Sequence, residues 1–362
     1  MLFWKKQKAK CILPLEDVEI RAWPEQNFLL GLLLVQKTGW EWFMNQFVQL
    51  RGAHYVQHQY GAKDMSITFY PYAIHQLSPN LFDFCPFINK YTVPKSLIIG
   101  NYRDFCEFVK YSLENGYYLS TFLDQFFRED MHGNYGFHHP NFIYGYDDGE
   151  QCIYLADNFE NGKYGRKKIS YEQLNHAFLG VPGDQWEVSV FLYKLIPYQH
   201  TFYAPYVKEQ IEDYLYPRKG ICYFDRTVCQ NPHYNRKDYE NEVFFGIDNY
   251  QLLLNYLDAI CKKNVEYPEK DWRSFVMLCD HKMMMVKRYE FMTQCKCLEK
   301  NEKMYSALKD LEQDCRIAQN MFLKYTLTDN MEIIGRLMNR MKQIKEKDMR
   351  CMEQFERGII LE

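Results

Sequence analysis

The sequence predicts an α+β domain followed by an α-helical bundle domain, and three patterns carry that reading. A strand, loop, hairpin and helix run from Asn115 to Phe178. From Gly246 onward, apolar residues recur at helical spacing. Between the two, residues 201–245 form a connector rich in proline, tyrosine and charge. The predicted organisation is therefore an α+β domain over 1–200, the connector, and a helical bundle over 246–362.

Trp23-Pro24-Glu25 opens the first helix, because a proline's missing N–H costs nothing in a first turn. That helix carries Phe28 to Val35 and ends at Thr38-Gly39, before a second aromatic segment from Trp40 to Leu50. Asn101 to Glu114 has helical spacing, and Asn115-Gly116 leads into an aromatic, β-branched strand ending at Asp124. After a polar loop, His138 to Asp148 and Gln151 to Asn158 read as a hairpin, since Gly149 accepts the positive φ of a tight turn. Ser170-x-x-Gln173 has the form of a capping box opening a helix to Phe178. Trp186, Val188, Val190 and Leu192 alternate as in a half-buried strand. Within the connector the pattern supports only a helix from Val207 to Tyr214.

In the C-terminal part, Asp248 is placed to cap a helix with Tyr250, Leu253, Leu257 and Ile260 on one face. Asp271 starts another, through Trp272, Phe275, Cys279, Met283 and Val286. Met304, Leu308, Leu311, Cys315, Ala318, Phe322 and Tyr325 form a heptad stripe, which Met331, Ile334, Met338, Met341 and Ile344 repeat. The short link between these stripes favours antiparallel packing within one chain. No oligomeric state follows from the pattern.

Composition narrows the function classes. Aromatic residues make up 17% of the chain, which points to dense packing rather than disorder. A net charge of −3 gives no general attraction to nucleic acid or to an anionic membrane. Lys5, Lys6, Lys8 and Lys10 read as a solvated tail. The apolar run Phe28 to Val35 is far short of the ~20 residues a membrane span needs. With no export signal visible, the 12 cysteines read as reduced thiols, and the expected compartment is the cytoplasm. No nucleotide-binding or serine-hydrolase motif is present, so no cofactor is expected. Cys279-x-His281 and Cys295-x-Cys297 lack the spacing of zinc ligands, so no metal is expected either.

The candidate chemistry lies in the hairpin. One arm opens with His138 and His139, and the other closes with Asp157 and Asn158. An antiparallel pairing brings those ends together, as a base and its orienting partner require. A two-residue turn at Asp148-Gly149 would set His139 opposite Asn158, whereas a three-residue turn would set it opposite Asp157. The plainer reading is of ordinary hairpin residues. A thiol at a helix start would complete a papain-type triad, because the helix dipole lowers its pKa. The helix at Trp23-Pro24 has no thiol or hydroxyl among Arg21, Ala22, Trp23, Glu25 and Gln26, and Cys11 is the nearest cysteine in sequence.

Several segments in order are similar to the butirosin biosynthesis protein H family. They are Phe47-Val-Gln-Leu-Arg51, Asn115 to Asp124, His139-Pro-Asn-Phe-Ile-Tyr-Gly-Tyr-Asp147, Asp157, Phe245-Gly246-Ile247 and Asp280-His281-Lys282-Met283. The resemblance implies a papain-like, bacteriocin-peptidase-like cysteine-hydrolase fold with an appended helical domain. It implies acyl transfer, through a cysteine thioester, from an acyl carrier protein to an amine in natural-product biosynthesis. An acyl or peptidyl carrier protein is the implied partner. His139 matches the family's histidine and Asp157 its acidic member. The family's cysteine belongs near Ala22 and Trp23, where this sequence has none. Two readings follow: an acyltransferase whose thiol comes from elsewhere, or a non-catalytic accessory or binding protein.

Overall fold

The computed structural model describes residues 8–57, 62–70, 81–128, 136–183, 189–217, 243–263 and 270–361. The chain is of mixed α/β type, with antiparallel sheets and a helical C-terminal region. It divides into two units, Met1–Trp40 with Asn80–His200, and Glu41–Pro79 with Thr201–Glu362. Elements are numbered below in chain order.

The first unit is built on a seven-stranded sheet. Its strands are β1 (Lys10–Ile12), β4 (Ile88–Pro94), β5 (Tyr117–Asp124), β6 (His138–Asp147), β7 (Cys152–Asn158), β8 (Tyr164–Ser170) and β9 (Ser189–Leu195). They run in the order β4-β9-β5-β6-β7-β8, with β1 paired to the far half of β6. Helices α4 (Phe105–Glu114) and α5 (Tyr171–Gly180) cover one face. Phe105 stacks on Phe178 at 3.7 Å, over a core that includes Leu119, Leu123, Ile143, Ile153 and Leu155. Helix α1 (Pro24–Leu34) covers the other face, where Phe28 stacks on Phe142 at 4.2 Å. Ile143 and Phe142 are successive residues of one strand and point to opposite sides, so the sheet is filled from both.

Local signals explain where these elements start and stop. Asp104 caps α4 by accepting from Glu107 N, and Ser170 with Gln173 forms the expected capping box on α5. The turn between α4 and β5 closes at Gly116, whose φ of 78° suits glycine. Helix α3 (Lys95–Asn101) ends at Asn101, where the spacing predicts a helix to begin, and α4 starts only at Phe105. Of the alternating stretch from Trp186, residues 186–188 lie outside the described residues, while Val190 is fully buried.

The second unit combines a three-stranded antiparallel sheet with the C-terminal helices. Strands β2 (Leu50–Gln57), β3 (Ala62–Phe69) and β10 (Val243–Phe245) run in the order β10-β2-β3. The helices are α6 (Ala204–Leu215), α7 (Asn249–Cys261), α8 (Arg273–Gln294), α9 (Glu302–Thr328) and α10 (Met331–Arg357). The stripe from Met304 to Tyr325 is buried at every predicted position along α9. On α10 the buried face instead runs Ile333, Ile334, Leu337, Met341 and Ile344, leaving Met331 exposed. The predicted connector contains α6, and its residues 218–242 lie outside the described residues.

Residues 41–79 belong with this second unit rather than with an unbroken first domain. Helix α2 (Gly39–Gln46) ends in carbonyls with no partner further along the helix. Arg288 of α8, fully buried, supplies Nε to Met44 O at 2.8 Å and Nη2 to Phe47 O at 2.9 Å. Burial pushes its guanidinium down to about 9. His281 adds Nε2–H to Val48 O at 2.7 Å. The segment Phe47 to Arg51 and the Asp280-His281-Lys282 run are therefore parts of one packed structure.

Asp348 of α10 ties four helices together. Its Oδ2 accepts from Lys282 Nζ (2.5 Å) on α8, Tyr214 OH (2.6 Å) on α6 and Tyr250 OH (2.9 Å) on α7. All four residues are at most 1% exposed. Lys282 also donates to Tyr214 OH at 2.8 Å. Gly246 fits against the same helix: a Cβ there would stand 2.1 Å from Tyr214 O, and its φ is 50°. Removing one member of such a pair strands a buried charge, which costs about 3–5 kcal/mol, whereas replacing both by apolar groups is far milder. Lys282→Met should accordingly lower the urea midpoint sharply, and Lys282→Met with Asp348→Leu should recover most of the loss. Equal midpoints for the single and double variants would refute the pairing.

Candidate active site

The hairpin that carries the site is built differently from either turn expected. Asp147 pairs with Cys152, so the loop holds the four residues Asp148 to Gln151. Asp147 Oδ1 accepts from Gly149 N at 2.9 Å and Glu150 N at 3.2 Å, which closes this loop, and Gln151 takes a φ of 53°. A bulge between Ile143 and Gly145 then shifts the register by one residue, so Phe142 pairs with Ala156. Continuing that register sets Asp157 opposite Asn141, two residues from His139 and on the same face.

Asp157 is reached diagonally. His139 Nδ1 lies 2.8 Å from Asp157 Oδ2, and Asn141 Nδ2 donates to the same oxygen. Asp157 Oδ1 accepts from Asn158 N at 2.7 Å. The carboxylate is fully buried, and burial pushes its pKa up against the opposing pull of His139 and the Asn158 N–H. Asn158 thus holds Asp157 through its backbone, while Asp157 holds the imidazole. The second histidine, His138, is a partly buried neighbour whose Nε2 has no hydrogen-bond partner among the described residues.

The His139 side chain is 29% exposed, and among the described residues its Nε2 makes no hydrogen bond. Its backbone is fixed on both sides: Gln125 Nε2 donates to His139 O at 3.4 Å, and Leu123 of β5 is its strand partner. Phe137 stacks on the ring at 6.1 Å. Burial alone would favour neutral imidazole, but the charge and hydrogen bond of Asp157 outweigh it, with a smaller contribution from Glu25. The ring therefore titrates above ordinary histidine, and Arg128 opposes the shift only weakly. Arg128 is itself engaged, donating to Asn158 O at 3.2 Å and Phe159 O at 2.9 Å.

Helix α1 begins within electrostatic range of this pair. Pro24 occupies its first position after Trp23, which makes no side-chain cap. Glu25 is partly buried in the first turn, and burial pushes its carboxyl up while His139 pulls it down. No thiol stands there. Cys11, the nearest cysteine in sequence, lies on β1 opposite Tyr146, with Sγ 3.5 Å from Leu113 O. Tyr146 is seven residues along β6 from His139. At ~3.3 Å per residue that is about 23 Å, which removes Cys11 as a nucleophile for this histidine. Cys106 faces Tyr171 O at 3.3 Å, and burial pushes its thiol up to about 12. Among the described residues no group of three or more His, Cys, Asp or Glu is arranged to hold a metal ion. No helix among them is long and apolar enough to cross a membrane.

The reading of the sequence found His139 and Asp157 but missed Asn141, although Asn141 stands two residues after His139 and so on its face. Glu25 was visible only as one more residue lacking a thiol. Comparison of the chain with known family models and with curated proteins gives no match.

Because His139 titrates above its unfolded value, its pairing adds stability that is complete below about pH 6.5 and fades as pH rises through the folded value. NMR titration of the labelled imidazole should give a midpoint above that of free histidine. Asp157→Asn should lower it, since desolvation is then opposed only by Glu25. A midpoint unchanged by that substitution would contradict the coupling.

Proposed function

We propose that this chain is a non-catalytic relative of the butirosin biosynthesis protein H family, serving as an accessory or binding protein in natural-product biosynthesis. In this reading the first unit is papain-like, and a carrier protein bearing an acyl or peptidyl group is the partner. The single observation that carries it is the pairing of His139 with Asp157 beside a helix start whose first-turn group is the Glu25 carboxylate and not a thiol.

A carboxylate beside imidazolium reproduces the charges of a thiolate–imidazolium pair but not its chemistry. To form an acyl-enzyme, Glu25 would have to displace a thiolate from the donor. A carboxylate of pKa ~4 leaves a tetrahedral intermediate far more readily than a thiolate of pKa ~8.5, so the intermediate would collapse back to the thioester. The open Nε2 of His139 favours a second reading, in which the ring acts as a general base and an amine attacks the thioester directly, with no covalent intermediate. The raised pKa of His139 works against that, since at neutral pH more of the ring already carries its proton.

Incubation with acyl N-acetylcysteamine thioesters and with acylated carrier protein, in the presence of amines, separates these readings. The expected outcome is no adduct by intact-protein mass spectrometry and thioester loss indistinguishable from buffer. A stoichiometric adduct that disappears in His139→Ala would establish covalent acyl transfer. Amide formation without an adduct would establish the general-base reading.

The papain-like alignment has its own check. In Trp23→Cys a thiol would sit at the start of α1, where the helix dipole and His139 favour the thiolate. Its alkylation by iodoacetamide near pH 6 should be fast and should slow in the Trp23→Cys, His139→Ala double variant. Equal rates in the two would rule the alignment out.

A further inference from the structure

The first unit contains a second concavity, remote from His139. It has a volume of about 740 Å³ and is walled by residues of β4, β5 and β9 and of helices α3 and α4. Small-molecule sites commonly fall in that size range. Tyr117, in its wall, opens β5, whereas the strand partner of His139 is Leu123. Six residues at ~3.3 Å each put the two places about 20 Å apart.

The lining is divided by chemistry. Ile98 and Phe108 form a buried floor, with Val93 and Leu192 partly covered beside them. Tyr91, Tyr102, Tyr111 and Tyr117 stand around it, and Tyr91 and Tyr111 are 48% and 59% exposed. Among the described residues, none of these four hydroxyls has a hydrogen-bond partner. Leu97, at 56% exposure, continues the apolar surface. Such a concentration of exposed apolar groups in a concavity is characteristic of a binding surface.

Polarity enters at one end only. Lys194 stands with Nζ 4.7 Å from the centre of the Tyr117 ring and donates to Asn115 O at 3.1 Å. An ammonium group has three N–H donors, so two remain for a ligand. The lining contains no Asp or Glu, and Lys194 has no carboxylate partner among the described residues. The two side-chain amides in the lining are turned to their own helix: Asn101 Nδ2 donates to Leu97 O at 2.7 Å, and Asn115 Nδ2 to Tyr111 O at 2.8 Å. One ammonium and no carboxylate in the lining favour a ligand with one negatively charged end.

We propose that this groove binds an amphipathic organic carboxylate, its apolar body against Ile98 and Phe108 and its carboxylate on Lys194 and the tyrosine hydroxyls. Decanoate is a suitable probe, measured by calorimetry on the full chain and by displacement of 8-anilinonaphthalene-1-sulfonate. The expected result is one saturable decanoate site, weakened about tenfold or more in Lys194→Met and largely kept in Lys194→Arg. His139→Ala should leave it unchanged, and decyltrimethylammonium should not compete. Should Lys194→Met fail to fold by circular dichroism, Leu97→Asp on the exposed rim provides the second variant and should abolish binding. Absence of a saturable site, affinity unchanged in the folded variants, or equal competition by the cationic decyl compound would overturn the proposal.

Discussion

A carboxylate with no exposed surface must be surrounded by donors or lose its charge, and Asp157 imposes that condition on the candidate site. Three donors converge on it, from His139, Asn141 and the Asn158 backbone. Two come from one strand at successive same-face positions, and the third from the residue after it. Such convergence requires a particular register between β6 and β7. The four-residue loop and the bulge near Tyr144 together set that register, each moving the pairing away from the simplest turn. The loop itself depends on Asp147, whose carboxylate receives two of its N–H groups. The orientation of one imidazole thus rests on a hairpin whose loop is closed by a side chain within it.

The second unit meets the same condition in another way. Asp348 is as buried as Asp157, but its donors come from α6, α7 and α8, so its charge fixes how helices distant in sequence assemble. No ring with an open nitrogen faces outward from that network; Lys282, Tyr214 and Tyr250 all turn their polar atoms inward. The contrast separates two uses of a buried carboxylate. At Asp348 it organises packing, with a lysine as its counter-charge. At Asp157 it orients a group whose other nitrogen is left open. This is why Asp280-His281-Lys282, for all its titratable groups, reads as architecture: Lys282 is held by Asp348 and Tyr214, and His281 by Val48 O through Nε2, while its Nδ1 is buried away from solvent without a partner among the described residues.

What could be read from the residues follows the range of the interactions involved. The α9 stripe, the Ser170 capping box and the helix after Pro24 depend on contacts a few residues apart, and each appears where spacing and capping chemistry put it. His139 and Asp157 were legible because a hairpin makes them neighbours by local folding. The choice between Asp157 and Asn158 was not, since it turns on one residue of register and hence on a bulge at Tyr144-Gly145, which a lone glycine inside a strand does not specify. Nor could the place of residues 41–79 be read. It is set by Arg288 and His281, more than two hundred residues away, capping the carbonyls of Met44, Phe47 and Val48. Cys11 is the cysteine nearest in sequence to the start of α1, yet strand pairing carries it to the end of β6 far from His139.

The chemistry that remains at His139 is limited by what stands opposite it. Imidazole oriented by a carboxylate can move a proton, but covalent acyl transfer also needs a nucleophile that is a worse leaving group than the one it expels, or nearly as poor. Thiolate meets that requirement against a thioester, because the two are chemically alike and the exchange is balanced. The Glu25 carboxylate does not, however close its charge is held to the ring. Desolvation raises the carboxyl toward its neutral form, and the imidazolium stabilises the anion. The Glu25 charge acts instead on the ring, adding to the larger effect of Asp157 in raising the pKa of His139.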